Sequence, residues 1–290
     1  MTLHPAEAGS GIVFLRTDVR ADTGTVPARW RNVVDTRMAT TVANEAGVSV
    51  ATIEHLMAAL AGSGVDNALV ELSGPEVPIM DGSAAPFVFL IECAGLCAQD
   101  APRRAIEVLK PVSVGDGKRG VSIRPATSFA VAFEIDFDSE AVARQSLSLK
   151  LVNGTFKADI ARARTFGFEH EVTALRAAGL ALGGSLENAV VVRGDTVLNA
   201  DGLRYADEFV RHKILDCVGD LYLAGAPVIG AVDCARSGHA LNHRLLVHLF
   251  ADDSAWRWTD AAGQGLPPLG SEWEEGEIAA GAGPARAASA

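Results

Sequence analysis

Cysteine is scarce in this 290-residue chain: four residues, at positions 93, 97, 217 and 234, with no Cys-x-x-Cys pair. That is too few for a disulfide scaffold, and reduced thiols in a cytosolic protein are the plain reading. Basic charge is also short. Twenty-five Lys and Arg stand against 36 Asp and Glu, a formal net charge of −11, which argues against a broad basic surface that coats nucleic acid. No 18 consecutive apolar residues occur, so an ordinary membrane-spanning helix is ruled out. Met1-Thr2-Leu3-His4-Pro5 has neither the basic nor the apolar region of a signal peptide. Gly183-Gly184-Ser185 matches no phosphate-loop pattern. What remains is 49% hydrophobic and 21% charged residues, enough to bury a sizeable core. The expectation is a soluble, cytoplasmic, globular protein, with a length that suggests two domains.

Short β-branched runs alternate with a few helix-like segments. Residues 11–16, 67–72, 129–135, 189–192 and 228–232 read as strands. Thr52 to Leu60 has good helix formers and stops before Gly62. Ser83 can cap a helix through Ala84 to Ala94, with Pro86 in its first turn. Val172 to Ala178 reads as helix, and Ala206 to Leu223 is the longest and clearest. Strands followed by helices, without a strict βαβ rhythm, predict an α+β fold. Ala101-Pro102-Arg103-Arg104 is the best linker, and the Gly-, Pro-, Glu- and Ala-rich tail from about Gly263 reads as disordered.

The strongest chemical constellation lies on the longest helix: His212, Lys213, Asp216 and Asp220. At 3.6 residues per turn, His212, Asp216 and Asp220 share nearly one face. A His and an Asp at i,i+4 can both reach one zinc ion, although the same spacing is common on solvated faces. His55, preceded by Glu54, is a candidate third ligand. Adjacent helical residues diverge by about 100°, so with His55 on a metal, Glu54 would stand beside a water molecule, where a general base belongs. His239 and His243 form a rival i,i+4 pair. Ser237-Gly238 puts His239 at a loop or element start, a position equally suited to proton transfer. Spacing alone does not choose between these roles. The run Arg162-Ala163-Arg164-Thr165-Phe166-Gly167-Phe168 can hold a phosphate and stack a base, or it can be a strand end packing Phe into the core.

Five stretches carry a resemblance: Thr52-Ile53-Glu54-His55-Leu56-Met57-Ala58-Ala59-Leu60, Pro78-Ile79-Met80-Asp81-Gly82-Ser83-Ala84, Ala161 to Phe168, Arg211 to Leu221, and Ser237-Gly238-His239-Ala240-Leu241-Asn242. With these in order, the chain closely resembles the UDP-3-O-acyl-N-acetylglucosamine deacetylases, zinc amidases of lipid A biosynthesis in Gram-negative bacteria. The resemblance implies Zn2+ held by His55, His212 and Asp216, with Glu54 as general base and His239 as general acid. It further implies that Asp220 orients His239, that Thr165 polarises the amide carbonyl, and that Lys213 lies near the substrate's diphosphate. His243 is then not a ligand. Phe137, Phe166 and Phe168, with Glu171 where the family often has Asp, are expected to line the nucleotide side.

The implied fold is two similar α+β domains, residues 1–100 and 101–262, each a sheet with helices packed between the sheets, followed by the tail 263–290. An inserted βαβ element at about 168–200 would wrap the acyl chain, with Ala181, Gly184, Ser185 and Leu186 as lining. Family members begin with a strand and turn carrying Gly-x-Gly-Leu-His-Ser-Gly. This chain is expected to enter after it, so that the first domain lacks one hairpin and its sheet has an unpaired edge. The expected partner is an acylated UDP-amino-sugar, with at most peripheral membrane contact through it, and the expected state is a monomer. Two other readings share the site: a zinc amidase acting on a different amide, and a truncated metal-binding protein with impaired catalysis.

Overall fold

A computed structural model describes residues 1–151, 154–177 and 183–261; the expected tail and Ala181 lie outside the described residues. The first part of the chain contributes β1 (Thr2–Pro5), β2 (Ile12–Arg16), β3 (Thr25–Pro27), β4 (Val33–Asp35), β5 (Thr41–Ala43), β6 (Ser49–Val50), α1 (Glu54–Gly62), β7 (Ala68–Leu72) and α2 (Ala85–Ala94). One four-stranded sheet has the order β1-β7-β2-β3, and β4-β5-β6 form a small second sheet. In β2 and β7 every second residue is buried, the period-2 signature of a sheet with one face on the core. Phe14 of β2 lies opposite Val70 of β7 in parallel register, and Leu3 of the edge strand β1 pairs with Val70 antiparallel.

The remainder contributes β8 (Arg104–Val108), β9 (Val112–Gly115), β10 (Gly120–Arg124), β11 (Ala130–Asp136), β12 (Arg144–Lys150), β13 (Phe166–Phe168), α3 (Glu169–Ala177), β14 (Val190–Arg193), β15 (Thr196–Val197), α4 (Glu208–Tyr222), β16 (Val228–Ile229), β17 (Ala231–Ala235), α5 (His239–Phe250) and β18 (Trp256–Asp260). Its main sheet runs β12-β11-β17-β10-β9, with smaller sheets β13-β14-β15 and β16-β8-β18. β13 and β14 are parallel and flank α3 along the chain, which makes a βαβ unit. The protein is therefore α+β.

α1 and α4 form the centre. Every residue from Glu54 to Leu60 is buried, as are thirteen of the fifteen in α4, and a helix apolar on most of its circumference belongs in a core. Their mutual packing is the most extensive helix–helix contact, while α4 also rests on β11 and β12, and α5 on β9 and β10. Glycine at 219 makes the crossing possible. A Cβ there would lie 2.0 Å from the Glu54 carbonyl oxygen and 3.1 Å from the Ala58 nitrogen, so the two backbones touch where any side chain would hold them apart. α1 begins two residues later than its helix-forming sequence suggests, because Thr52 takes a left-handed φ of 57°. No helix among the described residues is long and apolar enough to cross a membrane.

Candidate metal centre

The α1–α4 crossing brings together side chains from the two parts of the chain. His55 comes from the first turn of α1, and His212, Asp216 and Asp220 from successive turns of α4. One ligand atom each from His55, His212 and Asp216 lie within 4.8 Å of one another, all three residues buried. His212 Nε2 is 3.2 Å and His55 Nε2 3.6 Å from the same Asp216 Oδ1, and the two imidazoles meet edge to face at 4.9 Å. Asp216 Oδ1 and His55 Nδ1 are nonetheless buried without a hydrogen-bond partner among the described residues. Buried charge is normally paired or metal-coordinating, and two nitrogens crowding one oxygen without hydrogen-bond geometry is the arrangement a shared cation resolves.

The surroundings prepare each donor. His212 Nδ1 is 3.0 Å from the Ala163 carbonyl; it must donate there, which leaves the Nε2 lone pair toward Asp216. Burial lowers the His212 ring to about 3, so it stays neutral. Burial opposes the charge on Asp216, yet its neighbours, the Lys213 ammonium among them, hold its carboxyl well below the usual range. Lys213 Nζ donates to Asp216 Oδ2 at 2.8 Å and sits 5.7 Å over the Phe166 ring. Two imidazoles and one carboxylate fit a divalent metal ion.

Two groups flank this trio. Glu54 is 4% exposed; burial raises its carboxyl, and His239 and His55 pull it back only in part. Its Oε2 accepts the Thr40 N–H at 3.1 Å, and its Oε1 lies 3.9 Å from His239 Nε2. His239 is the first residue of α5, and Gly238 ahead of it is fully extended. Its Nδ1 is 2.8 Å from Asp220 Oδ2, which turns Nε2 toward Glu54. Burial disfavours a charged ring here, but Asp220, Asp216 and Glu54 outweigh it and raise His239 to about 10. Asp220 also accepts Asn242 Nδ2 at 2.9 Å and the Thr40 hydroxyl at 2.5 Å.

Thr165 follows the carbonyl that fixes His212 by two residues. Its N–H donates to the Gly82 carbonyl and its own carbonyl accepts the Val190 N–H, both at 2.8 Å. Gly82 has φ +81°, and a Cβ there would lie 2.0 Å from the Asn188 carbonyl oxygen; the Asp81-Gly82-Ser83 turn thus holds the threonine from across the molecule. Next to it, Arg164 is turned inward, its guanidinium on buried Glu208 at 2.9 Å, so it does not face a phosphate. Phe137 packs on Phe166 at 5.7 Å and Phe168 at 5.6 Å, and Phe166 leads on to His212 at 6.4 Å.

The other residues expected to meet substrate lie farther along. Glu171 is exposed on α3. Gly184 and Ser185 precede β14, where the Ser185 hydroxyl accepts the Glu187 N–H at 3.2 Å, and Leu186 is half exposed. His243 Nε2 bonds the Trp30 carbonyl at 3.0 Å, and His4 pairs with Glu71; neither belongs to the cluster. Thr40 and Asn242 were not among the residues expected at the site. Asn242 falls at i+3 from His239, a spacing that could have signalled it. Nothing in the sequence around Thr40 marks it.

Residues 1–251 match the family described as LpxC: UDP-3-O-acyl N-acetylglycosamine deacetylase. The chain is 53% identical over 257 residues to a UDP-3-O-acyl-N-acetylglucosamine deacetylase of Phenylobacterium zucineum (strain HLK1), covering 89% of this chain and 88% of that protein. It is 51% identical over 270 residues to the protein of that name from Myxococcus xanthus (strain DK1622), covering 93% and 85%. On a match through most of its length and on identities near one half, the chain belongs to the UDP-3-O-acyl N-acetylglycosamine deacetylase family.

Proposed function

We propose that this chain hydrolyses the N-acetyl group of a UDP-3-O-(3-hydroxyacyl)-N-acetylglucosamine to acetate and the free amine, in the cytoplasm, as a step of lipid A biosynthesis. The observation that supports it is the convergence of His55, His212 and Asp216 within 4.8 Å, with Glu54 and His239 on its border. The three ligands would hold Zn2+, which when bound polarises the acetamide carbonyl and lowers the pKa of water toward 7.

The chain's own groups supply the rest. Glu54, its carboxyl raised by burial, takes a proton from the attacking water. The Thr165 hydroxyl donates to the carbonyl oxygen as it gains charge, where one such donor is typically worth about 3 kcal/mol. His239, protonated and aimed through Nε2, gives a proton to the departing amine nitrogen as the C–N bond breaks. Asp220 holds the other ring nitrogen and favours the charged ring. Lys213 spends one donor on Asp216 and keeps two for a diphosphate oxygen.

Phe137, Phe166, Phe168 and Glu171 would meet the nucleotide. The stretch of about 168–200, built around β13, α3 and β14, would carry the acyl chain, with Gly184, Ser185 and Leu186 along it. In this reading residues 1–100 and 101–262 act as two domains of a monomer. The test is acetate release with acylated and non-acylated UDP-N-acetylglucosamine, alongside zinc content. One zinc per chain, chelator-sensitive release and dependence on the 3-O-acyl group are expected. Release indifferent to chelation would contradict the metal reading, and equal rates without the acyl chain would point to a different amide.

A further inference from the structure

We propose that Thr40 is a positioning residue that couples the general base to the general acid, an inference that rests on the reading of Glu54 and His239 above. Thr40 lies in the segment between β4 and β5 and is 1% exposed. All three of its polar groups are engaged. The N–H donates to Glu54 Oε2 at 3.1 Å, the hydroxyl donates to Asp220 Oδ1 at 2.5 Å, and the carbonyl accepts the Ile53 N–H at 3.3 Å. The last contact holds the residue from which α1 starts, so Thr40 also fixes where Glu54 leaves the backbone.

These bonds close a ring. From Glu54 Oε2 it passes through Thr40 to Asp220, then through Asp220 Oδ2 to His239 Nδ1, and from His239 Nε2 back to Glu54 Oε1 across 3.9 Å. That last gap is where substrate chemistry takes place. Each carboxylate is gripped on one oxygen by Thr40 and offers the other to the reaction path: Glu54 Oε1 directly, Asp220 Oδ2 through the imidazole. A carboxylate held at both oxygens cannot rotate without breaking a buried bond, so the hydroxyl sets the Asp220 plane and, through it, the aim of His239. Asn242, donating to Asp220 Oδ2 at 2.9 Å, braces that oxygen but does not reach Glu54. Thr40 alone among the described residues bonds both carboxylates.

Thr40→Val keeps shape and backbone N–H but removes the hydroxyl, and Thr40→Ser restores it. In the zinc-loaded full chain, Thr40→Val is expected to lower kcat about 10–100-fold, the usual cost of losing an outer hydrogen-bond partner, with KM and zinc content unchanged. Thr40→Ser is expected to recover kcat. A second reading needs no turnover: the His239 Nδ1–H proton resonance should move in Thr40→Val and stay in Thr40→Ser. Wild-type kcat together with an unmoved resonance in Thr40→Val would overturn the proposal, as would Thr40→Ser being as impaired as Thr40→Val. If the wild-type chain released no acetate while Thr40→Val still moved the resonance, the substrate assignment would fail and the positioning role would stand. Should Thr40→Val not fold, Thr40→Ala removes the same hydroxyl with less bulk, and both readings apply to it unchanged.

Discussion

Gly219→Ala is the smallest change that should dismantle the centre without touching a ligand. The new methyl would sit 2.0 Å from the Glu54 carbonyl oxygen and 2.9 Å from its carbon, against an ordinary contact of about 3.5 Å. Both partners are helix backbone, so no side chain can swing away, and α1 and α4 must separate by roughly 1 Å. Alanine returns about 0.5–1 kcal/mol of helix preference over glycine, while overpacking a core costs typically about 1–3 kcal/mol. A net loss near 1–2 kcal/mol is expected on these two principles. The effect on metal should be larger. His55 rides on one helix and His212 with Asp216 on the other, and metal–ligand distances tolerate only about 0.2 Å. Zinc affinity should therefore fall by at least 10–100-fold, about the loss seen when ligand orientation alone is disturbed. Competition with a chromophoric chelator measures the affinity, and urea unfolding the stability. A variant that binds zinc and unfolds like the wild type would refute the claim that the crossing builds the site.

Glu54→Gln should retain one zinc per chain and lose most acetate release; near wild-type turnover would reject Glu54 as the base. His239 is raised to about 10 in the folded chain from about 6.5 when unfolded, so its contribution to stability is complete below about pH 6.5 and disappears as pH climbs through about 10. His239→Ala in metal-stripped protein should therefore weaken the alkaline fall in unfolding free energy across that window, and an unchanged slope would contradict the Asp220 pairing. Glu208→Leu strands buried Arg164, whose guanidinium and backbone both donate to that carboxylate. Breaking such a pair costs about 3–5 kcal/mol, read by urea unfolding, and a loss under about 1 kcal/mol, the value of a surface pair, would show the pair to be dispensable.

Much of this fold is legible in the sequence. β2, β7, β11, α2 and α4 fall where alternation, caps and helix formers put them: the strands and α2 bury one regular face each, and α4 is buried on nearly every side. The misses have physical causes. α1 starts at Glu54 because Thr52 is held left-handed, a tertiary demand that local propensity does not encode. α5 is not legible beyond its first residue, since Ser237-Gly238 looks like a loop although Gly238 serves as the extended residue before the helix. Strands of two or three residues, such as β4 to β6, are too short to show a period.

At the site, i,i+4 spacing is present in both His212–Asp216 and His239–His243, and it cannot say which pair faces a third ligand. That is decided by the glycine-mediated contact between α1 and α4, and by Trp30 capturing His243. The family resemblance made the distinction; the residues alone did not. Thr40 was invisible because its part in the site runs through a backbone N–H and one hydroxyl brought in from a distant strand connection.

We propose that His55, His212 and Asp216 grip one cation at the meeting of two helices. Anomalous diffraction at the zinc edge from crystals of the zinc-loaded chain tests it most directly. A single strong peak is expected about 2.0–2.2 Å from one atom of each of the three side chains. A peak elsewhere, or none with the three side chains ordered, would contradict it.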